Sequence, residues 1–319
     1  MQEGEGAVTA SFTARLPWLA VPATLHRAVQ HCAGAPIIEA CDVQGGMSPG
    51  PAAVLTLGNG ACVFVKAVSK AVNASSYRLY QQEVTVLKQL PAQVPAAQLL
   101  SVVEDGEWIA LVMDMVRGPT AGPPWTTASV TAAAEACATM ANVIAPPGLP
   151  TVRERLPDLD GWAHLATDPE CLSPWERRRI TRLAAAVTGW RHWTSGRHLS
   201  HHDVRGDNII INAVDGRAVL IDWGYGCSGA PWLDRALLAA DVMAAGHRDG
   251  PDEVRRQAVD LLTGLPADAA RFVIAQAGMW RRNSTLPAHP GMPTHRRWQR
   301  ERATALQPLI DDLLPLITT

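Results

Sequence analysis

The residues best able to do chemistry lie in one short stretch, His201-His202-Asp203-Val204-Arg205-Gly206-Asp207-Asn208, followed by Ile221-Asp222-Trp223-Gly224. The pattern is H-x-D-x4-N, then D-W-G. With this composition, chance gives the first pattern in roughly one of 100 shuffled sequences. Requiring the second within about 20 residues lowers that to a few in about 100,000, so the pair is specific. Asn208 precedes the branched run Ile209-Ile210-Ile211, and Asp222 ends a run that begins at Ala218. A turn at Asp215-Gly216 joins the two as a hairpin. Centring the pairing on that turn sets Asn208 opposite residue 222 or 223, so that an amide oxygen and a carboxylate converge at one end of the ribbon. Two hard oxygen ligands suit Mg²⁺, which completes its octahedron with phosphate oxygens and water. Asp203, in the loop just before, is placed to accept or orient the proton of a substrate hydroxyl.

A metal at such a site needs a nucleotide, and a nucleotide needs a cation and a cradle. Arginine supplies all the basic residues but three, Lys66, Lys70 and Lys88, so a lysine at a suggestive position carries weight. Lys66 ends the strand-like run Cys62-Val63-Phe64-Val65-Lys66. Across the Asn59-Gly60 turn it faces about Ala53, whose strand follows Gly45-Gly46-Met47-Ser48-Pro49-Gly50. Backbone N–H groups of Gly45, Gly46, Ser48 and Gly50 in such a loop can approach phosphates closely. Glu83 lies on a helical stretch, Ser75–Leu90, within the stripe formed by Leu79, Tyr80, Val84, Val86, Leu87 and Leu90. A carboxylate there is costly unless paired, and Lys66 is the natural partner. The bland alternatives are turn and cap chemistry for the Asp and Asn residues, a surface lysine, a helix-face glutamate and a plain hairpin turn.

The elements that position these residues are legible from pattern. Ala52–Leu57 and Ala61–Val68 flank Gly58-Asn59-Gly60, and Leu99–Val103 and Trp108–Met113 flank Asp105-Gly106, two hairpins. A polar tail and one helix, about Ala20–Cys32, come first. From Gly118 the pattern turns helical, with Thr126–Val143 and a helix opened by the capping box Ser173-Pro174-Trp175-Glu176 and running to about Trp193. The last third is helical, with a Pro/His-rich break at Leu286–Thr294. The expected fold is α+β: a β-rich lobe over residues 1–115 and a mainly helical lobe over 116–319.

Composition excludes several classes of function. The chain has 319 residues, 28 basic against 30 acidic, and 18% charged residues, so no global field draws it to nucleic acid or an anionic membrane. Six scattered Cys form no CxxC pair, which predicts reduced thiols and a cytoplasmic setting. Met1–Glu5 lacks a basic start, so no signal peptide is expected. The best apolar run, near Ala236–Ala245, contains Asp241 and is too short to span a bilayer.

The ordered set of Gly-rich loop, strand Lys, helix Glu, H-x-D-x4-N and D-x-G resembles the protein-kinase-like fold, with two lobes. More narrowly, His201–Asn208, Ile221–Gly224 and Gly229-Ala230-Pro231-Trp232-Leu233-Asp234 resemble the aminoglycoside phosphotransferase family of small-molecule kinases. Leu111–Gly118 resembles that family's inter-lobe linker. The match covers roughly residues 37–245. The resemblance implies Asp203 as catalytic aspartate and Asn208 and Asp222 as Mg²⁺ ligands. It also implies Lys66 on nucleotide phosphate, Glu83 paired with Lys66, and backbone at Asp114–Met115 against the adenine. Arg205 matches a basic position that touches the transferred phosphate. It implies ATP, with GTP as an alternative, and a structural role for His201, with His202 incidental. Gly45–Gly50 departs from G-x-G-x-x-G. Eleven residues between Asp222 and Asp234 leave no room for a protein-kinase activation segment.

The expected reaction is phosphoryl transfer from Mg·ATP to a hydroxyl of a small molecule, with no obligate protein partner. An antibiotic is the leading acceptor; a metabolic kinase of choline, homoserine or sugar type and a non-catalytic nucleotide-binding scaffold are the alternatives. Arg281, Arg282, Arg296, Arg297, Arg300 and Arg302, with Glu301 the only acid among them, favour a neutral or anionic acceptor, unless they form a solvated helix face. Asp158, Asp160 and Asp241 are the candidates to meet a cationic one. Asp234 is expected to tie the following helix to the loop, and Asp207 has no evident role.

Overall fold

The structure, a computed structural model, describes residues 15–156, 158–288 and 292–317. The chain divides into two compact units. The first comprises 15–84, 98–115 and a short segment up to residue 295; the second comprises 85–97, 116–287 and 296–317.

In the first unit, β1 (Ile37–Asp42), β2 (Ala52–Leu57), β3 (Cys62–Ser69), β4 (Leu99–Glu104) and β5 (Trp108–Asp114) form an antiparallel sheet ordered β1-β2-β3-β5-β4. Both expected hairpins are present within a residue of their predicted bounds. Edge strand β1 exposes most of its side chains, so its alternation is too weak to stand out in the sequence. Helix α1 (Ala23–Ala33) begins later than expected, because Pro22 occupies its cap and residues Trp18–Ala20 form a separate 3₁₀ turn. Leu25 and Val29 of α1 pack with Trp18 and Val21 against Leu55, Leu57, Val63 and Val65. Full burial of each such side chain contributes about 1.5–3 kcal/mol.

Helix α2 (Lys70–Leu87) leaves β3 without a loop and is kinked at Asn73, whose φ is −161° and ψ 100°. Asn73 Oδ1 accepts the Ser76 N–H at 2.9 Å, a new cap in mid-element. The regular helix therefore restarts near Ser75, where the apolar period begins.

The second unit is helical: α3 (Thr127–Met140), α4 (Val152–Arg155), α5 (Gly161–Leu165), α6 (Pro174–Ala186), α7 (Trp190–Trp193), α8 (Leu233–Ala245), α9 (Pro251–Leu262), α10 (Ala267–Asn283), α11 (His295–Ala305) and α12 (Gln307–Leu313). Its core includes Trp125, Met140, Trp162, Trp223, Leu238 and Phe272. The capping box forms as expected: Glu176 N–H donates to Ser173 Oγ at 3.3 Å and Ser173 N–H to Glu176 Oε2 at 2.7 Å. The helix it opens stops at Ala186, and Gly189, at φ 75°, breaks the chain before α7.

Two short antiparallel ribbons carry the motif residues: β6 (His198–Ser200) with β9 (Cys227–Gly229), and β7 (Ile209–Ile211) with β8 (Ala218–Leu220). All six cysteines are free thiols. Among the described residues no helix is long and apolar enough to cross a membrane.

Candidate active site

Lys66 lies on β3 with Val65 and Ala67 fully buried on either side. Its Nζ stands 2.8 Å from Glu83 Oε2, and the two side chains are only 6% and 3% exposed. The ring of Tyr80, one turn before Glu83 on α2, lies 5.1 Å from the ammonium. The carboxylate and the aromatic face together offset the cost of burying the cation. The β2–β3 ladder is centred on Asn59, so Lys66 faces Ala52, one residue short of the expected Ala53.

The Gly45–Gly50 segment joins β1 to β2. Gly45 and Gly46 are left-handed, at φ 96° and 77°. Gly50 is fixed by a close approach: a Cβ there would lie 1.9 Å from the Ala67 carbonyl oxygen. Its N–H donates to Ser48 Oγ at 3.3 Å, so Ser48 and Gly50 close a turn on each other, and that amide is already engaged. Of the four amides expected to face phosphate, that of Gly50 is thus spent within the loop.

The loop also holds a cation from the segment expected to be a polar tail. Arg15 donates from Nε to the Gly45 carbonyl, and from Nη1 to the Gly50 carbonyl at 2.9 Å. The next residue, Leu16, donates its N–H to Pro49 at 3.0 Å. No periodicity or short spacing links Arg15 to a loop thirty residues on. At the end of β5, Asp114 donates its N–H to the Gln98 carbonyl at 2.9 Å, so that amide is committed to the sheet; Met115 follows outside the strand.

In the second unit the loop after β6 gathers Asp203, Arg205 and Asn208. Asn208 closes a 3₁₀ turn, Gly206–Asn208, and its Nδ2 donates to the Asp203 carbonyl at 2.9 Å and to Asp203 Oδ2 at 2.8 Å. The Asp203 side chain remains 28% exposed. Desolvation pushes its carboxyl pKa up. Arg205 opposes that, Asp207 and Asp222 reinforce it, the Asn208 bond opposes it, and the net direction is up. Arg205 is 3.8 Å from Asp203 and grips Asp207 with two bonds of 3.0 Å. Asp207 thus has a place the sequence did not suggest: it holds the Arg205 fork. Burial lowers the Arg205 pKa, but Asp203, Asp207 and Asp241 outweigh it and keep the guanidinium charged.

The ribbon register differs from expectation. Ile209 faces Leu220, and the Ile221 N–H donates to the Asn208 carbonyl at 3.0 Å, so Asn208 faces Ile221, not residue 222 or 223. The cause is the loop, which closes between Asn212 and Arg217, earlier than a turn centred on Asp215-Gly216. Asp222 leaves the ladder in the left-handed region, φ 63°. That conformation is uncommon outside glycine and marks a built position.

His201 braces this arrangement. Its Nδ1 accepts the Asp203 N–H at 3.3 Å, so its Nε2 is the protonated nitrogen and donates to the Ile221 carbonyl at 2.8 Å. Desolvation pushes its pKa down. Helix α8 grips the loop at both ends. Asp234 accepts from Ser200 Oγ at 2.8 Å and from the N–H groups of His201 and His202 at 2.9 Å, as expected of a tie. Asp241, two turns on, accepts from Gly206 N–H at 2.9 Å and Trp125 Nε1 at 3.0 Å. Its other oxygen pairs with Arg302, 2.5 Å away. Trp298 on α11 faces both Arg205, at 5.6 Å, and Arg302, at 5.0 Å.

The charges expected to meet an acceptor largely have partners within the chain. Asp241 is 2% exposed and fully engaged, so it cannot bind a cationic acceptor. Asp158 is 3.8 Å from Arg282, and Asp160 is 3.3 Å from His164. Arg281 pairs with Glu176 at 2.6 Å and Arg297 with Glu301 at 3.6 Å. Arg281 and Arg302 are therefore tied into the fold, Arg297 and Arg300 lie on an exposed helix face, and the inference from the run to a neutral or anionic acceptor falls.

The residues present fit a divalent cation. Asn208 turns its amide nitrogen to Asp203, which leaves the amide oxygen as a donor. Asp222 lies close enough to Asp203 to raise its pKa, a repulsion that a cation relieves. No group of three or more His, Cys, Asp or Glu residues suited to a metal occurs among the described residues. A pair of hard oxygens, with phosphate and water supplying the rest, is the Mg²⁺ pattern.

Solved structures of the protein-kinase-like fold share this architecture. One is an aminoglycoside phosphotransferase from Streptomyces rimosus, 22% identical, covering 80% of this chain and 96% of that one with a TM-score of 0.51. A second is an aminoglycoside 2'-phosphotransferase, 15% identical over 92% of this chain and 99% of that one, TM-score 0.57. A third is the ethanolamine kinase of Plasmodium vivax, 12% identical over 86% of this chain and 84% of that one, TM-score 0.51. No curated protein sequence matches the chain. The fold is thus kinase-like, of mixed α and β structure. Residues 50–272 match the model of the phosphotransferase enzyme family, and the chain belongs to that family. It is a small-molecule kinase.

Proposed function

We propose that this kinase transfers the γ-phosphoryl group of ATP to a hydroxyl of an antibiotic, in the cytoplasm, as a resistance or self-protection enzyme. The observation that carries the reading is the bond from Asn208 Nδ2 to Asp203 Oδ2 at 2.8 Å, which fixes a raised-pKa carboxylate within one turn of a metal-type amide. Asp203 orients the acceptor hydroxyl and takes its proton as the bond to phosphorus forms. Lys66, held by Glu83, neutralises nucleotide phosphate, and the amides near Gly45 and Gly46 cradle it. Asn208 and Asp222 hold Mg²⁺, which when bound neutralises charge on the phosphates. Backbone beyond Asp114 meets the base. Arg205 stays locked to Asp207 and steadies Asp203.

Related proteins support this. Streptomyces rimosus aminoglycoside phosphotransferase has been solved with ADP and streptomycin, and the 2'-phosphotransferase with GDP, so either purine nucleotide suits the fold. An amicoumacin kinase has been solved with AMP-PNP and Ca²⁺. Six free thiols suit a reducing compartment. A metabolic acceptor is the second reading, favoured by the likeness to an ethanolamine kinase. Incubating the protein with Mg·ATP and a panel of antibiotics, choline, homoserine and sugars, followed by mass spectrometry for an added phosphate, separates the two. An Asp203→Ala variant that turns over the identified acceptor at the parent rate would sink the assignment of the base.

A further inference from the structure

Beside Asp203 the fold leaves nitrogen atoms unsatisfied. His202 is 4% exposed, and neither ring nitrogen has a hydrogen-bond partner among the described residues. Its backbone is also left-handed, at φ 64°. Arg155 Nε, in the same unit, is likewise buried without a partner, while Nη2 only reaches the Gly226 carbonyl at 3.5 Å. Buried polar atoms without partners are rare in folded proteins and destabilise them, and strained backbone persists where function requires it.

Topology puts these groups together. The β6–β9 ladder ends at Ser200 opposite Cys227, so His202 and Tyr225 follow two residues beyond that pair. A bridge from Thr151 to Ser228 sets α4 alongside β9 and brings Arg155 to Gly226. Phe272 flanks the imidazole at 6.0 Å. Tyr225 is 37% exposed, while the His202 nitrogens and Arg155 Nε lie just beneath the surface, shielded from solvent. The helix-to-loop ties through Asp234 and Asp241 use neither His202's ring nor Arg155.

The chemistry of the set is selective. A guanidinium only donates, and it repels an ammonium. Burial, then the neighbouring His201 and Arg155, push the His202 pKa down to about 3, so the ring is neutral with one donor and one acceptor. We infer that Arg155 and His202 form an acceptor subsite beside Asp203 that takes an oxygen-bearing neutral or anionic group, a hydroxyl, carbonyl or carboxylate, and rejects an ammonium. The inference rests on the kinase reading of Asp203 and adds to it the charge class of the acceptor.

Phosphoryl transfer from Mg·ATP to streptomycin and kanamycin (polycations), uridine and chloramphenicol (neutral) and gluconate (anionic), read by mass spectrometry, tests it. A neutral or anionic probe is expected to be phosphorylated best. For that probe Arg155→Met, which keeps the apolar stem, should raise KM at least tenfold and leave KM for ATP within twofold, and Arg155→Lys should recover part of the loss. A polycation as best acceptor, or an unchanged acceptor KM in Arg155→Met, overturns the subsite. A measurement without acceptor serves as well: if Arg155 waits for a ligand, Arg155→Met melts no lower than the parent, whereas a fall of several degrees marks the residue as structural and overturns the proposal. Failure of the parent to bind Mg·ADP would remove the kinase reading itself and is scored separately.

Discussion

Lys66 is held by two neighbours on one helix, Glu83 and Tyr80. Asp203 sits in a loop tied at several points to distant residues: His201 to Ile221, the loop amides to Asp234, Gly206 to Asp241, and Arg205 to Trp298. The first arrangement is a pair that secondary structure alone brings together. The second is a network in which each carboxylate satisfies two or three donors, and removing one strands the others. The lysine pair is thus separable from the fold, and the loop network is not.

The largest effect is expected at Asp203, which the network positions but which does not hold it together. Asp203→Ala should lower kcat by about 10³, roughly 4 kcal/mol of barrier; Asn208 Nδ2 keeps the Asp203 carbonyl as acceptor, so the protein should still melt near the parent temperature. Next comes a test of the contrast itself. Asp241→Ala leaves Arg302, the Gly206 N–H and the Trp125 indole without their acceptor, at a cost of about 3–5 kcal/mol. Calorimetry should show melting on the order of 10 °C lower. The double change Lys66→Met with Glu83→Leu removes a buried pair as a unit, which is often neutral for stability. It should melt within a few degrees of the parent yet lose binding of Mg·ADP in titration calorimetry. Unfolding of the double variant, or unaffected melting of Asp241→Ala, would erase the distinction.

The pH profile sharpens it further. Desolvation raises the Asp203 pKa, so kcat/KM falls as pH drops through a value above the ordinary carboxylate range. Arg205 works against that rise. Arg205→Gln should therefore move the acid limb to higher pH, and an acid limb that stays put would show that Arg205 does not act on Asp203. Stability follows its own window. His202 is held neutral to about pH 3 in the fold but protonates near 6.5 when unfolded. The unfolded chain binds the extra proton between those values, so stability is complete above 6.5 and is lost as pH falls toward 3, by up to about 1.4 kcal/mol per pH unit. Melting temperature recorded from pH 7 to 4 should fall, and less steeply in His202→Asn.

What the sequence made legible divides along the same line. The Lys66–Glu83 pair followed from a charge on an apolar stripe and a strand beside it, because both signals are local and periodic. Spacing alone singles out Asp203, Asn208 and Asp222, and the structure brings the first two into contact. The ribbon register missed by a residue because four-residue closure at Asn212–Arg217 cannot be told from a tighter turn by residue type. Asp241 and the arginines of 281–302 were misread for a different reason: a charged residue announces its charge but not its partner, and Glu176, Asp158 and Asp241 are each sixty or more positions from the arginine they pair with. His202 carries no signal in the sequence, because an unsatisfied nitrogen exists only in three dimensions.

Arg15 is the smallest of these effects and the one that tests the simpler region. Its guanidinium holds the carbonyls of Gly45 and Gly50. A peptide's N–H points opposite its C=O, so anchoring the Gly45 carbonyl turns the Gly46 N–H to the far side of the loop. The loop is then ordered before nucleotide arrives, and the ordering entropy is not charged to binding. Arg15→Ala should raise KM for ATP about threefold, near 0.6 kcal/mol, with kcat unchanged and melting within about 2 °C of the parent. Arg15→Lys should recover little, since an ammonium lacks the fork that spans two carbonyls. A full rescue by lysine would mean that charge, not loop geometry, is what Arg15 contributes.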